Sequence, residues 1–307
     1  MRIAFLNTIT RLARKNPQLM LLTGDLGFSI FEPFQKEFPN QFLNAGVSEQ
    51  NMTGVAAGLA LEGKLPIIYS IVPFVTMRNF EQIRNDICYQ NLNVKIVGVG
   101  AGFSYGIYGH THYGLEDIAL MRVLPNMTIF SPGDPLETIA AVKKAMTIKG
   151  PVYIRLGKAG EPNIHQKIPK LRIGDGLVLE EGKDVTIFVT GVLLPLALEV
   201  CSKLKQKSMS ISLISMPVLK PINSSFIVAH TKGAKLVVSI EEHSVIGGLG
   251  SAIAEILSEQ KESPRLIRMG AMNKFHKKTG SQKYMRNKNK LSKQAIVNEI
   301  FNNFKKS

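Results

Sequence analysis

The residues with the most chemical potential are few and scattered. His110 and His112 flank a threonine inside a glycine-rich run from Gly98 to Gly114. An imidazole titrates near pH 6.5, so either ring could donate to a substrate oxygen or move a proton. Glu49 follows Ser48 where an apolar helical pattern begins, the position at which a carboxylate complements a helix N-terminus. Arg2 and Arg155 carry guanidinium forks suited to anionic oxygens. Gly174-Asp-Gly176 and Gly247-Gly-Leu-Gly250 have the composition of phosphate loops. Cys88 and Cys201 are far apart and form no Cys-x-x-Cys, which excludes a disulfide scaffold and suits a reducing cytoplasm.

Apolar spacing sets where these residues stand. Residues 4–15 read as a helix ended by Pro17, and 19–23 as a buried strand. A strand over 42–45 precedes the Glu49 helix, which Gly63 and Pro66 close. Strands follow at 66–70, 94–99, 127–130 and 152–155, with helices at 79–89, 115–123 and 135–149. A polar connector over 158–183 ends in an expected hairpin. A second unit then alternates: strands at 185–190, 210–214, 235–240 and 266–268, helices at 193–205 and 247–258, and a closing helix capped by Ser292. Strands alternating with helices imply two consecutive three-layer α/β domains with mostly parallel sheets. The expected division is 1–165, a connector over 166–183, and 184–307. Ligands of such sheets sit at strand carboxyl ends, so the loops Gly24–Ser29, Asn44–Asn51, Ser70–Arg78 and Gly100–Gly114 are the informative ones.

The length of 307 residues suits two domains, and 45% hydrophobic content suits real cores. A net charge of +15 invites a nucleic-acid reading. However, thirteen basic and two acidic residues fall after position 260, so most of the excess belongs to the last 47 residues. That tail interleaves Lys277, Lys278, Lys283, Arg286, Lys288, Lys290 and Lys293 with Phe275 and Tyr284, without a nucleic-acid motif. It reads as the solvated face of a folded domain. The opening residues show no signal-peptide pattern, and the most apolar stretch, 185–200, is too short and too broken for a membrane span.

Three segments together resemble the transketolase group of thiamine-diphosphate enzymes. They are Asn44-Ala-Gly-Val-Ser-Glu-Gln-Asn-Met52, Gly109-His-Thr-His-Tyr-Gly114 with Ser131-Pro-Gly-Asp134, and Ile240-Glu-Glu-His-Ser-Val-Ile-Gly-Gly-Leu-Gly-Ser251. The resemblance covers a pyrimidine-binding domain and a C-terminal domain, but not the domain that holds the diphosphate through Mg²⁺. Gly174–Gly176 lies in the connector and lacks a suitably spaced Asn, so it reads as a turn. The resemblance therefore implies a split enzyme. A partner chain would supply the diphosphate and Mg²⁺ site, no metal ligands are expected here, and the pair would assemble as α2β2.

The same resemblance assigns residues. Glu49 matches the glutamate that hydrogen-bonds the cofactor's pyrimidine N1′ and favours its imino tautomer. Phe74 matches the ring stacked on the aminopyrimidine; a second family aromatic is Ile71 here, and Met77 stands near another. Asp25 and Leu26 resemble a pair lining the cofactor cleft. His112 matches the histidine facing the reacting carbon, with His110 beside it. Arg155 and Arg2 fall near substrate-phosphate positions, and His243 reads as structural. Gly100 and Tyr108 replace a histidine and an acidic residue that contact sugar hydroxyls in transketolases. The expected activity is transfer of a two-carbon ketol unit between sugars. The alternatives are a deoxyxylulose-phosphate synthase-like half, a 2-oxo acid dehydrogenase β-type subunit acting on a keto acid, and a non-catalytic basic scaffold or nucleic-acid binder.

Overall fold

A computed structural model describes residues 1–27 and 30–305; residues 28 and 29 of the expected Gly24–Ser29 loop lie outside them. The first half runs α1 (Arg2–Ala13), β1 (Leu19–Thr23), α2 (Glu32–Glu37), β2 (Phe42–Asn44), α3 (Glu49–Leu61) and β3 (Leu65–Ile71). It continues with α4 (Val72–Thr76), α5 (Phe80–Gln82), β4 (Lys95–Val99), α6 (Asp117–Arg122), β5 (Thr128–Phe130), α7 (Pro135–Ala145) and β6 (Val152–Leu156). The second half comprises β7 (Leu177–Glu180), β8 (Val185–Val189), α8 (Leu194–Lys205), β9 (Ile211–Ser215), β10 (Val218–Lys220) and α9 (Ser224–Thr231). It closes with β11 (Leu236–Ser244), α10 (Leu249–Ser258), β12 (Arg265–Ala271), α11 (Gln282–Lys288) and α12 (Lys293–Phe304).

Two sheets result, ordered β10-β5-β6-β4-β3-β1-β2 and β12-β11-β8-β9-β7. Both are parallel except for the antiparallel edge strands β10 and β7. Every residue of β4, β6, β8 and β9 is buried, because helices cover both faces of each sheet. Short side chains start the helices. Asp134 Oδ1 accepts the Glu137 amide ahead of Pro135 in α7, and Ser292 Oγ accepts the Ala295 amide of α12.

Several expectations need correction. The helix expected over 79–89 is α5 followed by a π-helical turn, Ile83–Tyr89. The connector is shorter than expected, since β7 already belongs to the second sheet, and β7 pairs with β9 rather than forming a hairpin with β8. β10 crosses back to pair with β5 in the first sheet, so the two units share strand hydrogen bonding and cannot be cut cleanly at one loop. The connector is itself pinned, because Asp134 Oδ2 accepts the amides of Ile164 and His165. Gly174-Asp-Gly176 is a turn leading into β7. Gly174 has φ +92°, and Asp175 Oδ1 accepts from Asn223 Nδ2 at 2.7 Å.

The units are also joined by Arg155. This residue is 2% exposed, and its guanidinium donates to Asp117 Oδ2 on α6 at 2.7 Å and to the Glu242 carbonyl of β11 at 3.0 Å; a further bond goes to the Gly114 carbonyl. Arg155 was expected to meet a substrate phosphate. Buried on β6 with Nε and Nη2 engaged by these groups, it acts instead as a structural anchor. Replacing Arg155 by Met strands the Asp117 carboxylate without its cation. We expect a loss of about 3–5 kcal/mol in unfolding free energy, read as an earlier urea midpoint. The pair Arg155→Met and Asp117→Leu together should lose less than the single change, and an unchanged midpoint in the single variant would contradict the assignment.

Candidate functional site

The central strands β1, β3, β4 and β6 end on one side of the first sheet, and each hands over a short segment there. Gly24 follows β1, α4 follows β3, the loop 100–116 follows β4, and Lys158 stands just beyond β6. α3 starts at the same edge, after β2.

Glu49 opens α3 and is 1% exposed. Its side chain turns inward instead of lying over the helix end. Ser70 Oγ donates to Oε1 at 3.1 Å, and Arg78 Nη1 donates to Oε2 at 2.7 Å. A buried carboxylate needs such partners, because desolvation without them is costly. Asn79 ties the two segments together: its Nδ2 donates to Thr53 Oγ1, which donates to the Glu49 carbonyl, each at 2.7 Å. A Cβ at Gly24 would lie 3.3 Å from Glu49 Oε1, so the backbone after β1 packs closely on the carboxylate.

Phe74, on α4, is half-buried and meets the His112 ring edge-on with centroids 5.1 Å apart. The Arg78 guanidinium carbon lies 4.4 Å from the Phe74 centroid. Glu49, Phe74, Arg78 and His112 are therefore one continuous cluster. His112 also packs on Tyr108 at 5.2 Å and Tyr105 at 6.2 Å. Burial, and then the Arg78 charge, lower its pKa below the ordinary histidine value, which favours the neutral ring at pH 7.

The loop carrying His112 is shaped from two directions. Gly100 has φ +90°, and a Cβ there would strike the Tyr105 ring, so glycine is required on both counts. From the second unit, Glu242 of β11 accepts the Phe103 amide at 2.7 Å and Gln282 Nε2 at 2.9 Å, and it pairs with Arg286. Arg286 is thus not part of a solvated basic face, whereas Lys277, Lys278, Lys283, Lys288 and Lys290 are exposed.

The remaining expected residues divide. Asp25 exchanges hydrogen bonds with Asn44, its amide donating to Oδ1 and its carboxylate accepting from Nδ2, both at 3.0 Å. Leu26 is half-buried beside it and packs on the first core. The His110 ring packs on Tyr113 at 5.9 Å and on exposed Phe275 at 4.7 Å. Arg2 Nε is buried without a hydrogen-bond partner among the described residues, and its charge acts on Tyr69 and Tyr105. Lys158, overlooked in the sequence, places Nζ 4.7 Å from the Tyr105 centroid; its position just beyond a central strand was the available signal. Arg78 was likewise passed over. His243 is buried, with Nδ1 2.9 Å from the Ser244 carbonyl, and burial pushes its pKa down to about 4.

A buried acceptor, an aromatic face and a neutral histidine could seat a flat nitrogen heterocycle, so the residues present fit an aminopyrimidine. A hollow of about 510 Å³, lined in part by Val228, Thr231 and Leu257, includes none of this cluster. Among the described residues no group of three or more His, Cys, Asp or Glu side chains could hold a metal ion. No helix among them is long and apolar enough to cross a membrane.

Comparisons with known proteins show the family. Residues 1–161 match the transketolase pyrimidine binding domain, and residues 174–296 the transketolase C-terminal domain. The chain is 39% identical to a putative transketolase C-terminal section of Methanocaldococcus jannaschii, over 90% of this chain and 87% of that protein. It is 35% identical to an apulose-4-phosphate transketolase subunit of Actinobacillus succinogenes, over 86% and 85%. It is 34% identical to the 6-deoxy-6-sulfo-D-fructose transketolase subunit SqwH of a Clostridium strain, over 97% and 92%. A solved structure described as a split gene transketolase, an inactive beta4 tetramer, superposes with a TM-score of 0.89 at 42% identity, over 96% of this chain and 95% of that one. Transketolase from Leishmania mexicana shares the fold at 20% identity, with a TM-score of 0.82 over 99% of this chain and 45% of that one. The chain belongs to the transketolase family, of which it spans the pyrimidine-binding and C-terminal domains.

Proposed function

We propose that this chain is the C-terminal subunit of a split transketolase, transferring a two-carbon ketol unit between sugars. The observation that carries the reading is the buried Glu49 carboxylate beside Gly24, linked through Arg78 to the Phe74 ring. Thiamine diphosphate, when bound, supplies the nucleophilic carbon to which the two-carbon unit is transferred. Glu49 holds a proton in common with the pyrimidine ring nitrogen, in a site dry enough to make that sharing strong. Phe74 offers a flat apolar face for offset stacking. Asp25 and Leu26 line the approach to this seat from β1. His112 stands beyond Phe74, where a neutral imidazole can donate to, or take a proton from, a substrate oxygen. His110 supports the same loop against Tyr113 and Phe275.

The diphosphate and its Mg²⁺ fall to a partner chain, the N-terminal subunit of the pair, and the pyrimidine seat closes when that chain docks. An α2β2 assembly places each cofactor between two chains. Cytoplasmic residence accords with two free, buried cysteines.

The substrate we favour is a sugar with an anionic end. Arg2 and Lys158 bring two cations to the Tyr105 side of the cluster, and two relatives are named for a sugar phosphate and a sulfonated sugar. Gly100 and Tyr108 replace the residues that contact sugar hydroxyls in transketolases, and Tyr108 packs on His112. Recognition there is by ring faces, which argues for a donor different from the usual ketose phosphates.

Two outcomes test this. Mixed with its partner chain, thiamine diphosphate and Mg²⁺, the protein should transfer ketol units in a coupled assay, and Glu49→Gln should lower kcat by about 10²–10⁴-fold. Full activity in that variant would remove Glu49 from the mechanism. Because His112 titrates below its ordinary value, any acid limb of kcat/KM that it causes should lie below about pH 6.5. That limb should vanish in His112→Asn, and its persistence would assign it to another group.

A further inference from the structure

One guanidinium occupies both groups that the pyrimidine would use. Arg78 Nη1 lies 2.7 Å from Glu49 Oε2, and its guanidinium carbon lies 4.4 Å from the Phe74 centroid. A guanidinium and an aminopyrimidine share an edge, a planar N–C–N unit with N–H donors. Both are also flat enough to lie on an aromatic ring. We propose that Arg78 is a placeholder: in the cofactor-free subunit it fills the pyrimidine seat, and it must swing out before the cofactor can enter. This rests on the function proposed above and adds to it a residue that sets the affinity of that seat.

The surroundings show why a placeholder is needed and why it can leave. Glu49 is 1% exposed, and its only other side-chain donor among the described residues is the neutral Ser70 hydroxyl. A buried carboxylate left with that one bond would be costly whenever the cofactor is absent. Arg78 supplies the missing charge. Yet its side chain is 42% exposed, it stands just past the end of α4, and among the described residues Glu49 is the one hydrogen-bond partner of its guanidinium. Rotation about its own side-chain bonds would carry the guanidinium into water without disturbing Asn79, which is buried next to it and holds α3 in place. The contact is thus a partly solvated ion pair, strong enough to protect Glu49 and weak enough to exchange. While it persists, the apparent affinity for cofactor is reduced by the fraction of molecules in which the seat is free.

The test uses the complex of this chain with its N-terminal partner, stripped of cofactor and titrated with thiamine diphosphate in excess Mg²⁺. Arg78→Gln should bind about 3- to 10-fold more tightly than the wild type, and cofactor should raise its melting temperature by a larger increment. Arg78→Lys keeps a cation beside Glu49 without the planar face, so it should fall between the two; it also decides the matter if Arg78→Gln does not fold. Equal or weaker binding in the variants would overturn the placeholder, weaker binding meaning that Arg78 belongs to the loaded site. Failure of the wild-type complex to bind thiamine diphosphate would instead overturn the function on which the proposal rests.

Discussion

The ion pair between Arg155 and Asp117 is the point on which the rest of the architecture turns. It is buried from both sides, and it reaches three places at once: α6 through Asp117, the end of the glycine-rich loop through the Gly114 carbonyl, and the second unit through the Glu242 carbonyl. A pair so deeply desolvated gains little stability over a well-packed apolar substitute. Its value lies in direction. A guanidinium with fixed donors admits one arrangement of its acceptors, so it locates a loop, a helix and a neighbouring sheet relative to β6.

That arrangement explains why a unit holding none of the clustered side chains still matters to them. The loop bearing His112 contains little regular structure and several glycines with positive φ. On its own it would have many conformations to lose on ordering. Glu242 takes the Phe103 amide from one side, Arg155 holds Gly114 at the other end, and Gly106 lies against the Gly280 carbonyl so closely that a Cβ could not be fitted. The second unit therefore acts as a mould. Its basic composition is a separate matter: the lysines point outward, while Arg286 is withdrawn to neutralise Glu242.

What the sequence disclosed follows from which forces are local. Buried parallel strands such as β4 and β8 are mostly apolar runs, and Ser292 announces the closing helix, so the elements and their alternation were legible. Glu49, Phe74 and His112 came from motif resemblance, and the fold brings them together. The features that were missed depend on long-range pairing. Nothing in Val218–Lys220 says that it will return to β5, and nothing near Arg155 says that Asp117, 38 residues earlier, will bury it. An arginine at a strand end looks the same whether it faces substrate or core; only the neighbouring carbonyls decide. Lys158 and Arg78 were hidden for the converse reason. Each is an ordinary exposed-type residue whose meaning comes from the aromatic ring it covers.

Two sites in the chain set a protein side chain where a ligand could stand, and the contrast between them separates permanent from reversible occupancy. The glycine-rich start of α10 has the geometry that receives phosphate at a helix N-terminus. Glu241 fills it: its two carboxylate oxygens accept the Leu249 and Gly250 amides, both at 2.8 Å, and a Cβ on Gly248 would collide with that carboxylate. Burial raises the Glu241 pKa to about 7 despite those donors, with Arg155 and Arg122 opposing the rise. Enclosed in this way, the carboxylate cannot step aside without leaving a cavity and stranding the helix amides. Arg78 differs in each respect. It is on the surface side of its partner, its guanidinium makes one hydrogen bond among the described residues, and water is ready to solvate it when it leaves. Burial rather than bond length thus divides the two: the ion-pair contact to Glu49 is no longer than the hydrogen bonds to Glu241, yet only the former is built to be exchanged.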